Sequence, residues 1–284
     1  MARTVRRPST PRAIQVIEPD IGWAGIDWKE IWLYRELLYF LTWRDIKIRY
    51  KQTALGAAWA ILQPFLSMVV FSVFFGHLGG MGARTAGIPY PVYVFAGLLP
   101  WTFFATAIGS SSNSLVGSAN LITKVYFPRL IIPLGAVGAG LVDLMISMVV
   151  LVCLMLFYGI TPGLQLVLVP LLLLGTVVTA TGVGALLSAL SVSYRDFQHA
   201  VPFMVQLWMF VTPVIYPPSI VPLQWRWLLF LNPMSGLIEG FRCAFLGGSL
   251  NGSHLAVSLV GGVAVFLGGA AYFQQVERRF ADII

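Results

Sequence analysis

Six stretches of this sequence are apolar for long enough to cross a lipid bilayer: about residues 57–78, 92–112, 131–158, 164–190, 200–216 and 255–273. A hydrocarbon core of ~30 Å takes ~20 helical residues, and the stretch 200–216 is at the short limit. Lipid offers no water to backbone N–H and C=O groups, so long apolar runs of this kind must be helical. The fold class that follows is all-α integral membrane, with six transmembrane helices.

Composition agrees: 58% of residues are hydrophobic, 10% are charged, and the mean hydropathy is +0.82, which no soluble domain of this length matches. A net charge of +7 would suit a nucleic-acid partner, but the charges are sorted by topology instead. With six crossings and both termini on one side, 15 of the 18 lysines and arginines share that side; Arg84, Arg226 and Arg242 lie opposite. The positive-inside rule puts both termini in the cytoplasm and the protein in the cytoplasmic (inner) membrane, with lipid rather than nucleic acid around it. Residues 1–27 read as a cytoplasmic tail, basic and broken by Pro8, Pro11 and Pro19, without the apolar core of a signal peptide. Two cysteines and three histidines are too few and too scattered for a disulfide framework or a metal site. His77, His199 and His254 read as isolated interfacial residues.

Residues 28–51 carry eight charges between Lys29 and Arg49, too many for a span. Tyr39, Trp43, Ile46 and Tyr50 nevertheless recur at helical spacing, with Arg44, Lys47 and Lys51 turned aside. That pattern predicts an amphipathic helix in the cytoplasmic interface, aromatic side in lipid. A plain anchor would carry the same pattern. The inner loop 117–133 holds a short helical patch with Asn120, two cations, Lys124 and Arg129, and an aromatic pair, Tyr126 and Phe127, before Pro128 redirects the chain. Such a loop either docks a partner or merely connects. Only five residues, 159–163, join the third and fourth spans, which predicts a hairpin. Gly135, Ala136, Ala139, Gly140, Ala180 and Gly184 offer notches for close helix approach. A second inner loop exposes Tyr194, Arg195 and Asp196.

Residues 217–246 are apolar but broken by Pro217, Pro218, Pro222 and Pro233 into pieces too short to span. Apolar pieces of ~10–14 residues at membrane depth are re-entrant or interfacial. Re-entrant helices here would line or cap a pathway on the outer side; Trp225 and Trp227 also fit an interfacial aromatic belt. Glu239 and Arg242, three apart on one helical face, are placed to pair with each other or to contact a substrate.

No catalytic constellation is present. Asp143 is the one acid well inside a span and has no evident basic partner at its depth; it serves either a structural hydrogen bond or the pathway. No phosphate-cradling Gly-x-x-x-x-Gly-Lys-Ser/Thr loop occurs, so any ATP-driven step requires another polypeptide.

Arg49-Tyr50-Lys51-Gln52-Thr53, followed by Leu55-Gly56, Trp59 and Gln63-Pro64, resembles the approach to the first span of ABC-2-type export permeases, and more narrowly of the polysaccharide and O-antigen exporters. The run from Lys124 to Arg129, Ser193-Tyr194-Arg195-Asp196, and Leu231-Asn232-Pro233-Met234 with Glu239 and Arg242 behind it carry the same resemblance. It covers about residues 28–280 and implies an ABC-2-type transmembrane domain over 28–284. It implies a homodimer with two copies of a separate ATP-binding subunit, which would hold ATP and Mg, so that this chain needs no cofactor and is no enzyme. The substrate implied is a lipid-linked glycan. By the same likeness 120–129 would be the coupling helix, 39–51 the helix of a cytoplasmic gate, and 217–246 the outer re-entrant helices. Two other readings stay open: an ABC-2 permease for a small amphiphile, and a membrane-embedded transferase using Asp196, His199 or Glu239.

Overall fold

The computed structural model of the chain describes residues 28–51, 58–85 and 87–277. The tail 1–27 and the Gln52-Thr53 and Leu55-Gly56 parts of the approach motif lie outside the described residues. Every regular element among the described residues is helical. In chain order they are α1 (Trp28–Leu33), α2 (Arg35–Lys51), α3 (Ala58–Phe71, continued by a π-helical stretch Ser72–Leu78), α4 (Tyr90–Gly117), α5 (Ala119–Ile122), α6 (Ile131–Phe157), α7 (Val169–Ser193, led in by the 3-10 turn Leu164–Leu168), α8 (Phe197–Val211), α9 (Arg226–Leu231), α10 (Pro233–Leu246) and α11 (Gly252–Glu277).

α4 is the axis of the bundle. Phe95, Leu98, Phe103, Phe104, Ile108 and Leu115 are buried, and α6, α7, α10 and α3 pack around it. The expected small-residue notches are used: Phe103 fills the space beside Gly140, and Ser111 fills the space beside Gly184. α7 and α11 touch backbone to backbone where Gly182 meets Phe266 and Gly269, an approach that any side chain at either glycine would block. A second apolar cluster closes the end that carries most of the cations. There Leu41, Leu115, Ile122, Phe127, Ile131, Ala189 and Phe273 join α2, α4, α5, α6, α7 and α11.

Five helical stretches are long and apolar enough to cross a membrane: Ala58–Leu78, Tyr90–Gly117, Ile131–Phe157, Leu164–Ser193 and Gly252–Glu277. The expected span 200–216 is not one of them. α8 has 15 residues and is about 22 Å long at ~1.5 Å per residue. The helix stops because Thr212 precedes Pro213, whose ring drives the preceding residue to extended geometry; Thr212 has φ −90° and ψ 138°. Thr212 N–H makes the last helical bond, to the Trp208 carbonyl, and residues 213–216 then run on as turn and bend.

α2 also differs from the expected aromatic-stripe helix. Tyr39 and Trp43 are exposed as expected, but α2 buries a different face, with Leu41 against Gly135 and Thr42 against Gly138 of α6. It runs beside the first half of α6 in the same direction, so its C-terminal residues, Tyr50 included, point toward Asp143 instead of lipid.

Candidate functional site

At the basic end, the connection between α4 and α6 has an anchored side and a free side. Phe127, expected to be a docking aromatic alongside Tyr126, is 4% exposed and belongs to the apolar cluster, whereas Tyr126 is 84% exposed. A Phe127 truncation therefore tests the fold, not a docking contact. Arg129 is also tied down: its backbone N–H donates to Glu277 Oε1 at 3.0 Å and its guanidinium donates to the Glu277 carbonyl, joining the loop to the end of α11. Asn120, Lys124, Val125 and Tyr126 remain at the surface. Tyr194, Arg195 and Asp196 are exposed on the connection between α7 and α8. On α2, Arg44 pairs with the adjacent Asp45 at 2.9 Å, and Lys47 lies over the Trp43 ring at 5.4 Å.

Asp143 does have a basic partner, and it comes from α2. Arg49 donates to one carboxylate oxygen, Tyr50 donates its hydroxyl to the other, and Arg49 Nη2 lies 3.4 Å from Ser110 Oγ on α4. One carboxylate thus clamps three helices. Burial first, then the Asp143 bond and charge, push the Tyr50 phenol above its ordinary value, against the pull of Arg49. An acid inside a span needs a partner; the search along the spans missed this one because it sits on the segment too charged to be a span.

At the opposite end, Glu239 and Arg242 are not a pair. Arg242 is fully buried; its Nε donates to the Tyr93 carbonyl at 3.2 Å, Nη1 to Pro213 at 2.7 Å, and Nη2 to Val214, while the Tyr93 ring lies 3.9 Å beneath the guanidinium. The carbonyls at 213 and 214 belong to the non-helical turn that follows α8. Nearby, Tyr90 donates its hydroxyl to the Ile215 carbonyl at 2.7 Å. Asn232 caps α10 by accepting from Met234 N–H at 3.1 Å, and its amide donates to Thr212 Oγ1 at 2.8 Å. Non-helical backbone at membrane depth persists only where protein or water meets its polar groups. Here Arg242 and Tyr90 meet them, and Asn232 ties the Thr212 hydroxyl to the start of α10.

Glu239 Oε2 instead lies 2.8 Å from His254 Nδ1 on α11, and His254 Nε2 is 3.3 Å from the Leu229 carbonyl on α9. His254, expected to be isolated, joins α9, α10 and α11. No sequence spacing links residues 239 and 254, but the Asn232-Pro233 step, a capping residue followed by proline at the first helical position, does mark a helix start. Trp225 and Trp227 are exposed on the approach to α9. α10 lies antiparallel to α11, with Pro233 by Gly261, Gly236 by Ser258 and Gly240 by Leu255.

The sequence profile of the ABC-2 type transporter family matches residues 36–246, a range that takes in all three of these clusters except Glu277 and His254. The chain belongs to the ABC-2 type transporter family. Among its relatives, an O-antigen export system permease protein, RfbA of Myxococcus xanthus, is 32% identical over 260 residues, covering 90% of this chain and 98% of that protein. The RfbA protein of Klebsiella pneumoniae is 30% identical over 251 residues, 88% of this chain and 95% of its own length. The polysialic acid transport protein KpsM of Escherichia coli is 28% identical over 254 residues, covering 84% and 93%.

Proposed function

We propose that this chain is the permease subunit of an ATP-driven exporter that moves a lipid-linked polysaccharide across the cytoplasmic membrane. The observation that carries the reading is likeness over nearly the whole length, at 28–32% identity, to permeases named for O-antigen export and polysialic acid transport. The chain works as a homodimer with two copies of a separate ATP-binding subunit. The wholly exposed Tyr126 with Asn120 and Lys124, held rigidly by Phe127 and Arg129, supports a docking role for that loop. The apolar faces of α3 (Trp59, Phe65, Val69) and α8 (Phe203, Leu207, Phe210) are exposed in the single chain and suit a second copy, lipid and the walls of a pathway.

The basic end faces the cytoplasm, together with both termini. Six crossings are supported by the positions of the loops. α7 ends in the cluster at the basic end, whereas α11 begins beside α10 and Leu229 at the other end, so the chain between them must cross. α8 and residues 212–216 make that crossing. α9 and α10 form the re-entrant pair: Pro233 reaches Gly261, nine residues or about 14 Å along α11, before α10 returns outward. α2 stands at the cytoplasmic mouth, where the Arg49–Asp143 clamp would couple its position to α4 and α6.

Deleting the gene should leave a lipid-linked glycan polymer accumulated inside the cell and deplete it from the surface, with wild-type chain restoring both. Unchanged surface glycan in the deletion strain refutes the reading. Affinity purification of the permease should also recover an ATP-binding subunit at equal stoichiometry.

A further inference from the structure

At the outer end, a cavity of about 290 Å³ opens between the first turns of α4, the face of α10 and the loop that leads into α11. Its walls include Ile88, Tyr93, Glu239, Arg242, Cys243 and Asn251. Gly247 and Gly248 form part of the rim with φ of +79° and +112°, so the loop bends away from α10 through backbone geometry that side-chain-bearing residues rarely adopt.

The chemistry of the walls narrows what would fit. Glu239 gives one oxygen to His254 and has no partner for the other among the described residues. Asn251 uses its Oδ1 to accept from Ser253 Oγ and from the His254 N–H, and its amide nitrogen has no partner among the described residues. Arg242 spends three of a guanidinium's five N–H donors on carbonyls. The cavity therefore combines a carboxylate acceptor, amide and guanidinium donors, and apolar surface from Ile88 and Leu246. An anion would meet Glu239. A divalent cation would find one carboxylate and a guanidinium. A lipid tail would leave these polar groups without partners. A sugar ring, with hydroxyls that both donate and accept around C–H faces, satisfies all of them. The volume is at the small end of small-molecule sites, which run from ~300 Å³ upward.

We propose that this cavity holds one sugar residue of the exported glycan, with Glu239 accepting from ring hydroxyls and Asn251 and Arg242 donating to them. The inference rests on the polysaccharide reading and adds a selective site to it. Because Glu239 also binds His254, an occupied cavity bears directly on how α10 sits against α11.

The test uses the purified permease with its ATP-binding subunit, probed by saturation-transfer difference NMR with methyl glycosides of hexoses, 6-deoxyhexoses and N-acetylhexosamines. At least one glycoside should give a saturable signal. Glu239→Gln should weaken it about tenfold. Ser249→Trp, placed at the exposed rim, should abolish it while leaving assembly and basal ATP hydrolysis unchanged. Silence from every glycoside, or an equal signal in Ser249→Trp, overturns the proposal. Surface glycan in the deletion strain separates the two readings: if export is lost on deletion yet no glycoside binds, the cavity assignment alone is wrong. If surface glycan is unaffected by deletion, both fall together.

Discussion

Arg49 and Arg242 sit toward opposite ends of the bundle, and their charges are met differently. Arg49 forms an ion pair with Asp143, and the two side chains keep 30% and 21% of their surface accessible. Arg242 has no carboxylate in contact and is buried among three backbone carbonyls and an aromatic ring. The first arrangement joins intact helices and keeps part of its surface accessible, so it can open and re-form. The second satisfies the Pro213 and Val214 carbonyls of the non-helical segment after α8, inside the bundle, together with the Tyr93 carbonyl of α4. A solvated ion pair contributes little net stability, whereas a buried polar group left unmatched costs its full desolvation. The clamp at the basic end is therefore suited to moving, and the one at the opposite end to holding still.

The most direct way to break this contrast is to remove each arginine. Arg242→Ala should destabilise the permease by about 3 kcal/mol or more, because the Pro213 and Val214 carbonyls lose their donor together. Arg49→Ala should cost about 1 kcal/mol. Unfolding of each variant in mixed micelles by titration with dodecyl sulfate measures both. An Arg49 effect as large as that of Arg242 would show that the Arg49–Asp143 pair is structural after all.

If the ion pair contributes little, stability at the basic end must come from its apolar cluster, and adjacent residues should separate the two contributions. Phe127→Ala should cost about 3 kcal/mol by leaving a cavity among Leu41, Ile122 and Phe273. Tyr126→Ala should leave unfolding unchanged and instead lower ATP-driven export, since an exposed aromatic at an interface centre is worth ~2 kcal/mol of binding. Loss of stability in both variants, or in neither, would remove the division between anchor and docking surface.

At the outer end, Gly97 tests how tightly the turn after α8 is packed. A Cβ there would lie 2.7 Å from the Val214 carbonyl oxygen and closer still to Arg242 Nη2. Gly97→Ala should therefore cost about 1–3 kcal/mol through overpacking, in the same unfolding measurement. Gly138→Ala on α6 meets only the Thr42 side chain, at 3.1 Å, and should cost less. Equal costs would mean that this turn yields as readily as the α2 contact.

The sequence carried the all-helical class, the five long spans, the hairpin over 159–163 and the segmentation of 217–246, because apolar run length and proline position are local signals. It misled where the decisive partner lies far along the chain. Asp143 and Arg49 are 94 residues apart, and Glu239 reaches His254 instead of the nearer-looking Arg242. Helical spacing left Glu239 and Arg242 to pair or to contact a substrate, but Arg242 is taken up by the carbonyls of the turn at 213 and 214, and that demand arises only after α8 has stopped. Phe127 and Tyr126 are neighbours with the same aromatic chemistry; only the packing of α2 and α11 over the loop distinguishes them.

The smallest effect expected concerns Tyr50, which donates to the same carboxylate as Arg49. Tyr50→Phe should cost about 1 kcal/mol at neutral pH, the net worth of one hydrogen bond in a half-exposed setting. Its pH dependence sharpens the point. Burial and the Asp143 charge raise the folded-state pKa of the phenol above the unfolded value of ~10. A raised folded pKa means that the stabilisation is fully present below the unfolded pKa and is lost as pH climbs from there through the folded pKa. Unfolding measured from pH 8 to 11 should therefore show Tyr50→Phe and the native chain differing by a constant amount up to about pH 10, then converging above it. Parallel curves throughout would mean that the hydroxyl is not bound to Asp143 in the membrane-embedded protein, and that Arg49 alone makes the polar contact between α2 and Asp143.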